Sequence, residues 1–264
     1  MTSSARSRVL TGGLAAFSLS IGMIMASGTL SPASAATWPT ASGSQAVTST
    51  ISVSGTKDYG MLRLYGSGDL GTDNQDEDQG PILELAPGAV VKNVIIGSPA
   101  ADGIHCLGAC TLQNVWWEDV GEDAATFLGS SSSNVYTVSG GGAKEASDKV
   151  FQFNGAGTLN VSNFAAQTFG TFVRSCGNCK TQYKRTINLN TIEATYKGSR
   201  IVGINTNYGD SATLKAITIV GDTSKKMIPC QKYIGNNTGA EPTTNGTGAD
   251  GTYCKYASSD ITYK

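Results

Sequence analysis

The sequence predicts an all-β protein whose chain winds into a parallel β-helix, a solenoid of stacked coils. Short strand-like runs recur about 21 residues apart: Asn93–Ile96 returns as Asn114–Trp117, and Ile104–Cys106 returns as Ala125–Phe127. A repeat of this length made of short strands is typical of a solenoid in which one period is one coil. The composition agrees, since 33 glycines accompany many Thr, Ser and Asn residues, which favour strands and turns over helices.

The N-terminal segment, residues 1–35, is predicted to be a secretory signal peptide rather than part of the fold. Arg6 and Arg8 precede an apolar stretch that ends at Leu30, and a small-residue cleavage site follows. A transmembrane anchor is the alternative, but Gly and Ser interrupt the apolar stretch, and no later segment is long enough to span a bilayer. We therefore expect a secreted, extracellular protein whose single domain covers residues 36–264.

Short alternating strands at 50–54 and 61–65 are predicted to cap the N-terminal end of the solenoid. The acidic run from Gly71 to Gly80 is rich in turn-forming residues and is predicted to be a loop. The coils are predicted to begin at Pro81. One series of strands is expected at 82–85, 91–96, 110–117, 135–138, 159–161, 187–192 and 214–220, and a second series at 103–106, 124–127, 150–153, 172–174 and 201–204.

The spacing between equivalent strands grows from about 21 to about 27 residues along the chain, because insertions at coil corners are tolerated in a solenoid. A β-sandwich is the alternative architecture, but a sandwich would not keep this spacing between look-alike segments. Equivalent positions on successive coils should lie about 4.7–4.9 Å apart, the distance between neighbouring strands. The tail at 231–251 is predicted to be a loop that Cys254 pins back.

The chain contains six cysteines, and an even number in an exported protein predicts three disulfides. Six cysteines allow 15 pairings. The spacing favours local bonds between Cys106 and Cys110, Cys176 and Cys179, and Cys230 and Cys254. A zinc site is the alternative, but an oxidising compartment and the lack of a nearby third pair disfavour it.

The charge of the chain limits the classes of partner. The formal net charge is −1, and no broad basic patch dominates the sequence, which argues against nucleic acid as a partner. An acidic polymer remains compatible with this balance, because a single groove can be basic on a neutral body. We expect a monomer with neither a nucleic-acid nor a membrane partner.

The candidate chemistry depends on carboxylates and cations. The only histidine, His105, lies in an apolar run, where we expect a packed, hydrogen-bonded ring, and nothing beside it resembles a nucleophile elbow. Asp102, Glu122 and Asp123 precede equivalent strands and should converge on one edge of the stack. Hard oxygen ligands without histidine favour Ca²⁺ over zinc or iron.

This set of residues suits β-elimination on a uronic acid polymer. A calcium ion that binds the sugar carboxylate would acidify the proton on C5. Lys149, one coil beyond Glu122 and Asp123, is the candidate base if neighbouring cations lower its pKa. Arg174, one coil further, would bind a carboxylate and stabilise the enolate-like intermediate. The alternative is that Lys149 and Arg174 are solvated surface charges.

Long runs across the chain resemble the secreted pectate lyases of polysaccharide lyase family 3. These runs are GSGDLG at 66–71, KNVIIG at 92–97, ADGIHC at 101–106, WWEDVGEDAA at 116–125, SDKVFQ at 147–152, RSCGNC at 174–179 and GINTNYGD at 203–210. The resemblance extends from about Trp38 to Lys264. It implies a compact right-handed parallel β-helix that cleaves polygalacturonate, the de-esterified form of pectin, to unsaturated oligogalacturonides in a calcium-dependent reaction.

The resemblance also implies roles for individual residues. Asp102, Glu122 and Asp123 would be calcium ligands, and Lys149 the catalytic base. Arg174 would both bind substrate and stabilise charge. Glu77, in the acidic loop, aligns with an acidic position near the family's cleft and is predicted to be a substrate-binding residue.

Three positions depart from the family pattern. Thr171 and Leu128 each stand where the family usually has a lysine, and Phe153 stands where it has a histidine. Loss of cations near the base would weaken the grip on a polyanion. One alternative is therefore a weakly active or non-catalytic homologue that binds pectin or is sensed by a host. A second alternative is a polygalacturonase in which Glu122 and Asp123 act as acid and base.

Overall fold

The structure, a computed structural model, describes residues 1–2, 37–75 and 78–264. The predicted signal peptide falls almost entirely outside these residues, and Glu77 also lies outside them. The described residues from 37 onward belong to one compact unit, while the domain boundary at residue 36 stays a prediction. Among the described residues, no helix is long and apolar enough to cross a membrane.

The described chain consists of strands joined by turns. The sixteen strands are β1 (Gly43–Val47), β2 (Ile51–Val53), β3 (Thr56–Gly66), β4 (Leu83–Leu85), β5 (Ala89–Gly97), β6 (Ile104–Cys106), β7 (Cys110–Trp117), β8 (Asp123–Phe127), β9 (Val135–Phe153), β10 (Gly157–Ser175), β11 (Arg185–Asn205), β12 (Ser211–Val220), β13 (Ile228–Ile234), β14 (Thr243–Thr247), β15 (Cys254–Lys255) and β16 (Ile261–Tyr263). Three single-turn 3-10 helices, Gly68–Leu70, Thr206–Tyr208 and Ser258–Asp260, are the helical segments of the described residues.

The strands form a parallel β-helix, which confirms the predicted fold class. One series of pairings runs β1-β3-β5-β7-β9-β10-β11-β12-β15, and a second series, β2-β4-β6-β8, joins it at β9. Strands β9, β10 and β11 pair with one another along most of their length, so each continues around a corner of its coil. The β13–β14 hairpin is antiparallel, whereas the other strand pairs are parallel. The β-sandwich alternative is wrong.

The register confirms the short period of the early coils. Val94 pairs with Val115 in the first series, and Ile104 pairs with Ala125 in the second. The predicted start of the coils at Pro81 is wrong, however. β1 already pairs in parallel with β3, and β3 with β5, so the first coil begins near Gly43. Its strands are largely exposed on one side, and their short alternating sequences were therefore interpreted as a cap.

The C-terminal tail also differs from the prediction. β13 continues to Ile234, and β14 folds back on it with Gln231 opposite Thr247. Every residue of β14 is exposed, so this polar edge strand carries no alternation of apolar residues that could have revealed it. The disulfides agree with the prediction, because the three local pairs form. The zinc alternative is wrong.

Aromatic side chains fill the interior beneath β8, β9 and β10. The ring of Phe151 lies 6.0 Å from that of Phe127 and 5.5 Å from that of Phe172, measured between centroids. All three rings are fully buried. Close-packed aromatic stacks of this kind contribute large buried areas. They hold the backbone of these strands in place, and thereby the polar side chains that the same strands carry next to the rings.

A tryptophan ahead of β1 reaches across several coils. The ring centroid of Trp38 lies 4.9 Å from that of Trp116 in β7. The ammonium of Lys144 in β9 lies 3.7 Å from the centre of the Trp38 ring, within the range of a cation–π interaction. The segment before the first coil is therefore attached to the coils that contain β7 and β9.

Candidate functional site

One column of aligned residues starts in β8, the last strand of the second series, and continues through the later parts of β9, β10 and β11. Asp123 in β8 pairs with Lys149 in β9, and Lys149 pairs in turn with Thr171 in β10. The next residue of the column is Arg200 in β11, which pairs with Thr171. Since the strands are parallel and in register, these four side chains lie side by side along the stack.

Arg174 belongs to a neighbouring column. It pairs with Gln152, which pairs with Thr126, and Thr126 pairs with His105. The expectation that Lys149 and Arg174 occupy equivalent positions on successive coils is therefore wrong. The three-residue offset between Thr171 and Arg174 separates the two columns, although both side chains reach the same cavity.

Three carboxylates gather at one end of the first column. Ligand oxygens of Asp102, Glu122 and Asp123 all lie within 4.8 Å of one another, and the residues are only 6%, 4% and 2% exposed. The close approach depends on Gly103, whose φ is positive. A Cβ there would collide with the backbone carbonyl oxygens of Asp123 and Ala124 on the next coil.

The electrostatics of this cluster suit a cation. Burial raises the pKa of Asp102 to about 6, with a contribution from Glu122, although His105 opposes the shift. Burial also raises the pKa of Asp123, against the effect of Lys149. The Oδ1 atoms of Asp102 and Asp123 are buried without a hydrogen-bond partner. Buried carboxylate oxygens left unsatisfied are costly, so these residues fit a metal ion that binds oxygen.

His105 is hydrogen-bonded as predicted. Its Nε2 atom lies 2.6 Å from Oδ2 of Asp102. Because Asp102 would be a metal ligand, the imidazole is positioned to orient that carboxylate from behind.

Lys149 lies directly beside the carboxylates and is 6% exposed, so it is not a solvated surface charge. Its Nζ atom is 2.6 Å from Asp148, 3.3 Å from Glu122 and 3.6 Å from Asp123. Burial lowers the pKa of Lys149, but Asp123, Asp148 and Glu122 outweigh burial and raise it. The condition under which Lys149 is the candidate base, a pKa lowered by neighbouring cations, is therefore not met by the protein residues alone.

Arg174 is half-buried and held in one orientation. Its Nη1 atom donates to the carbonyl oxygen of Ser175 across 2.7 Å and to Oδ1 of Asn205 across 3.4 Å. The guanidinium lies 4.0 Å from the ring centre of Tyr233. Burial lowers the pKa of Arg174 to about 10, with a further lowering from Arg200. A desolvated guanidinium of this kind binds an anion more strongly than a solvated one.

Both columns open into one cavity of about 250 Å³. Its lining includes Lys149, Thr171, Arg174, Arg200, Tyr233 and Glu241. Sequence reasoning missed Arg200, Tyr233 and Glu241 as residues of this cavity. Glu241 in this lining comes from the loop that precedes β14.

The three departures from the family pattern lie in different surroundings. Phe153 is fully buried, and its ring packs against Tyr136 at 5.4 Å between centroids, so it belongs to the core. Leu128 is not among the residues that line the cavity, whereas Thr171 is. Only the change at Thr171 therefore bears directly on this cavity.

Comparison with known proteins gives a consistent result. The family model described as pectate lyase matches residues 35–240. Pectate lyase E of Emericella nidulans is 44% identical over 222 residues, which covers 83% of this chain and 84% of that protein. Probable pectate lyase E of Neosartorya fischeri is 43% identical over 221 residues and covers 83% of both chains.

Solved structures agree with the sequence matches. The catalytic domain of pectate lyase PelI from Erwinia chrysanthemi has a TM-score of 0.71 at 32% identity, and the match covers 84% of this chain and all of that one, 100%. Pectate lyase PelI in complex with tetragalacturonic acid has a TM-score of 0.69 at 31% identity, covering 83% of this chain and 70% of that one. The likeness extends over most of the β-helix.

Proposed function

Since this chain belongs to the pectate lyase family and is a pectate lyase, we propose that it cleaves polygalacturonate by calcium-dependent β-elimination. The products would be unsaturated oligogalacturonides. The observation that carries the proposal is the buried cluster of three carboxylates directly beside Lys149. It combines an oxygen-rich cation site with an amine that can act as a base once it is neutral.

We propose that Asp102, Glu122 and Asp123 hold the calcium ion. Three carboxylates without histidine or cysteine ligands match the preference of calcium for oxygen. The two unsatisfied Oδ1 atoms of Asp102 and Asp123 support this assignment. When bound, calcium would supply positive charge that binds the substrate carboxylate and acidifies the neighbouring C5 proton.

Lys149 is the proposed general base. Its Nζ atom would accept the C5 proton, and the electron pair of the C5–H bond would form the C4–C5 double bond. The C4–O4 bond would break with its electron pair on O4, which would take a proton from water. A base must be neutral to accept a proton, and the surrounding carboxylates keep Lys149 protonated while nothing compensates their charge. Compensation of the charge on Asp123 and Glu122 therefore favours the neutral lysine.

Arg174 is proposed to bind a substrate carboxylate and to stabilise the charge that develops on it. The guanidinium is oriented by Ser175 and Asn205, and it keeps Nη2 and Nε for a ligand. A planar guanidinium binds a carboxylate through two parallel hydrogen bonds. Glu77, the other proposed substrate-binding residue, keeps this role on the family resemblance.

The proposed substrate is consistent with the structural relative that was solved with tetragalacturonic acid. Secretion is supported by three disulfides, which persist in oxidising compartments. A signal peptide over residues 1–35 and a monomeric state complete the proposal.

The decisive experiment is an assay on polygalacturonate with and without a calcium chelator. A lyase releases a product with a C4–C5 double bond, which absorbs in the ultraviolet. We expect this absorbance with calcium present and its loss after chelation, followed by recovery when calcium is restored. New reducing ends without ultraviolet absorbance would identify a polygalacturonase instead.

A weakly active homologue that mainly binds pectin is the second candidate, and Thr171 is the observation that favours it. A cation missing from the cavity would reduce both affinity and turnover. Binding of galacturonate oligomers without measurable product over long incubation would support this second candidate.

A further inference from the structure

The column that carries Lys149 continues one coil beyond Thr171 to an arginine. Thr171 pairs with Lys149 on one side and with Arg200 on the other. Neighbouring strands lie roughly 4.8 Å apart, so the backbones of Lys149 and Arg200 are separated by about 10 Å. The long side chain of Arg200 can cover much of that separation.

The guanidinium of Arg200 extends back toward the coil of Thr171. Nη1 of Arg200 donates a hydrogen bond to Oγ1 of Thr171 across 3.1 Å. Thr171 is only 2% exposed, so its hydroxyl is a fixed acceptor. The positive charge of Arg200 is therefore held at the coil where this chain has threonine and the family resemblance predicts a lysine.

A second arginine of the same fold shows what a structural arginine looks like here. Arg185 is fully buried, and it donates from Nε to the carbonyl of Gly155 and from Nη2 to the carbonyl of Asn154. Arg200 differs from it on both counts. Arg200 is only partly buried, and its Nε atom has no hydrogen-bond partner.

Arg200 and Arg174 line the same cavity as Lys149. No described carboxylate lies within ion-pair distance of either guanidinium. Guanidinium groups that are partly removed from water gain most from a charged acceptor. The arrangement is therefore suited to an anion that enters the cavity from solvent.

We propose that Arg200 is a substrate-binding residue whose guanidinium, held by Thr171, binds a carboxylate of a polyuronate chain. This inference rests on the proposed function and extends it, because Arg200 then provides the cation that a lysine at position 171 would otherwise provide. The planar fork of an arginine matches a carboxylate better than an ammonium does. The unpartnered Nε and the free side of the fork are the donors that this role requires.

The first test is kinetic and uses Arg200→Gln, with Lys215→Gln as the matched control. Lys215 is exposed, pairs with Asp260 and lies outside the cavity, so both variants lose one positive charge. We expect the KM of Arg200→Gln for polygalacturonate to rise about ten- to a hundredfold, the usual effect of one lost charge-assisted contact. Its kcat should change much less, and Lys215→Gln should keep both constants.

The second test measures binding without turnover. Calorimetric titration with tetragalacturonic acid, in the presence of chelator, should show weaker binding by Arg200→Gln than by the wild type. This measurement separates the two proposals. A wild type that binds the tetramer through Arg200 but forms no unsaturated product would overturn the proposed reaction and leave the role of Arg200 intact.

The third test is a rescue that a purely structural arginine would not allow. Thr171→Lys in the Arg200→Gln background restores a cation at the original coil and should recover most of the lost affinity. Thermal unfolding of each variant reports whether the fold is retained. An unchanged KM for a folded Arg200→Gln protein, or a loss that Thr171→Lys cannot recover, overturns the proposal.

Discussion

The two regions on either side of Lys149, the acidic end and the basic end of the site, carry opposite charge on the same repeating scaffold. At the acidic end, Asp102, Glu122 and Asp123 are buried, with two oxygens left without a hydrogen-bond partner. At the basic end, Arg174 and Arg200 line the cavity without an ion pair among the described residues. Each end is incomplete in a complementary way, since one requires a cation and the other an anion.

Lys149 lies between these ends and contacts only the acidic one. The charge state of Lys149 therefore depends on how far the negative charge of the acidic end is compensated. The basic end controls which ligand enters the cavity, and the acidic end controls whether Lys149 is neutral and can accept a proton. Substitutions at the two ends should consequently alter different kinetic constants.

The largest effect is expected at the centre, for Lys149→Ala. Loss of a general base typically lowers the rate by about 10²–10⁴-fold, while binding of tetragalacturonic acid should remain within a few fold, because a base acts mainly in the transition state. Lys149→Arg is the control, since it keeps the charge but cannot act as a base at neutral pH. Substantial activity in Lys149→Arg would show that only the charge matters.

At the acidic end, Asp123→Asn should weaken calcium binding. Calcium affinity depends on the number of charged ligands, and we expect a loss of about ten- to a hundredfold in affinity. Calorimetry with calcium chloride measures it directly. Activity should fall at limiting calcium and recover partly at saturating calcium, with KM for substrate little changed. Asp260→Asn, at a carboxylate remote from the cavity, is the control, and equal calcium affinity in both variants would contradict the assignment.

The raised pKa of Asp102 predicts how stability depends on pH when calcium is removed. Below about pH 4 the carboxyl is protonated in both the folded and the unfolded chain. Between about pH 4 and pH 6 the unfolded chain loses this proton while the folded chain retains it, so the free energy of unfolding falls as pH rises. Above about pH 6 the carboxyl is ionised in both states, and the free energy of unfolding stays lowered by the full amount.

Asp102→Asn should lack this component of the pH dependence. The Tm of the wild type minus that of the variant, measured in chelator, should decrease between pH 4 and pH 6. Added calcium should reverse the trend for the wild type, because the ion binds the ionised carboxylates. A difference in Tm that is constant across this range would mean that Asp102 titrates normally.

The smallest effect is expected at the basic end, for Glu241→Gln. Glu241 is exposed and lines the cavity, where its charge opposes an anionic substrate. Removal of that charge should lower KM by about two- to threefold, the scale of an exposed charge interaction. The gain should disappear at high ionic strength, because exposed charges are screened. A gain that persists in high salt would indicate a steric rather than an electrostatic effect.

The acidic end could be predicted from the sequence because the early coils are regular. Ile104 pairs with Ala125 at the distance that the repeat indicated, so Asp102 and Asp123 had to lie on adjacent coils. The same regularity predicted the strands, whereas the number and spacing of the cysteines predicted the local disulfides. The burial of the cluster was not predictable, since it depends on how the corners around Gly103 close over it.

The residues of the basic end could not be placed by counting a fixed repeat along the sequence. Lys149 and Thr171 pair across 22 positions of sequence, whereas Thr171 and Arg200 pair across 29. The loop between β10 and β11 and a register shift after Gln167 account for the difference. Glu241 reaches the cavity from a loop that no repeat contains. The raised pKa of Lys149 could not be predicted either, because the sequence does not reveal which charges lie closest to Nζ.

The attachment of Trp38 has a consequence for how the molecule comes apart. Coils at the ends of a stack have a neighbour on one side only, so a solenoid frays from its ends. Trp38 precedes the first coil, yet its ring contacts Trp116 and Lys144 in coils further along the stack. The first coil cannot unfold separately while these contacts hold. Trp38 therefore couples the first coil to the later ones, so that unfolding from the N-terminal end becomes one slower, cooperative event instead of a gradual one.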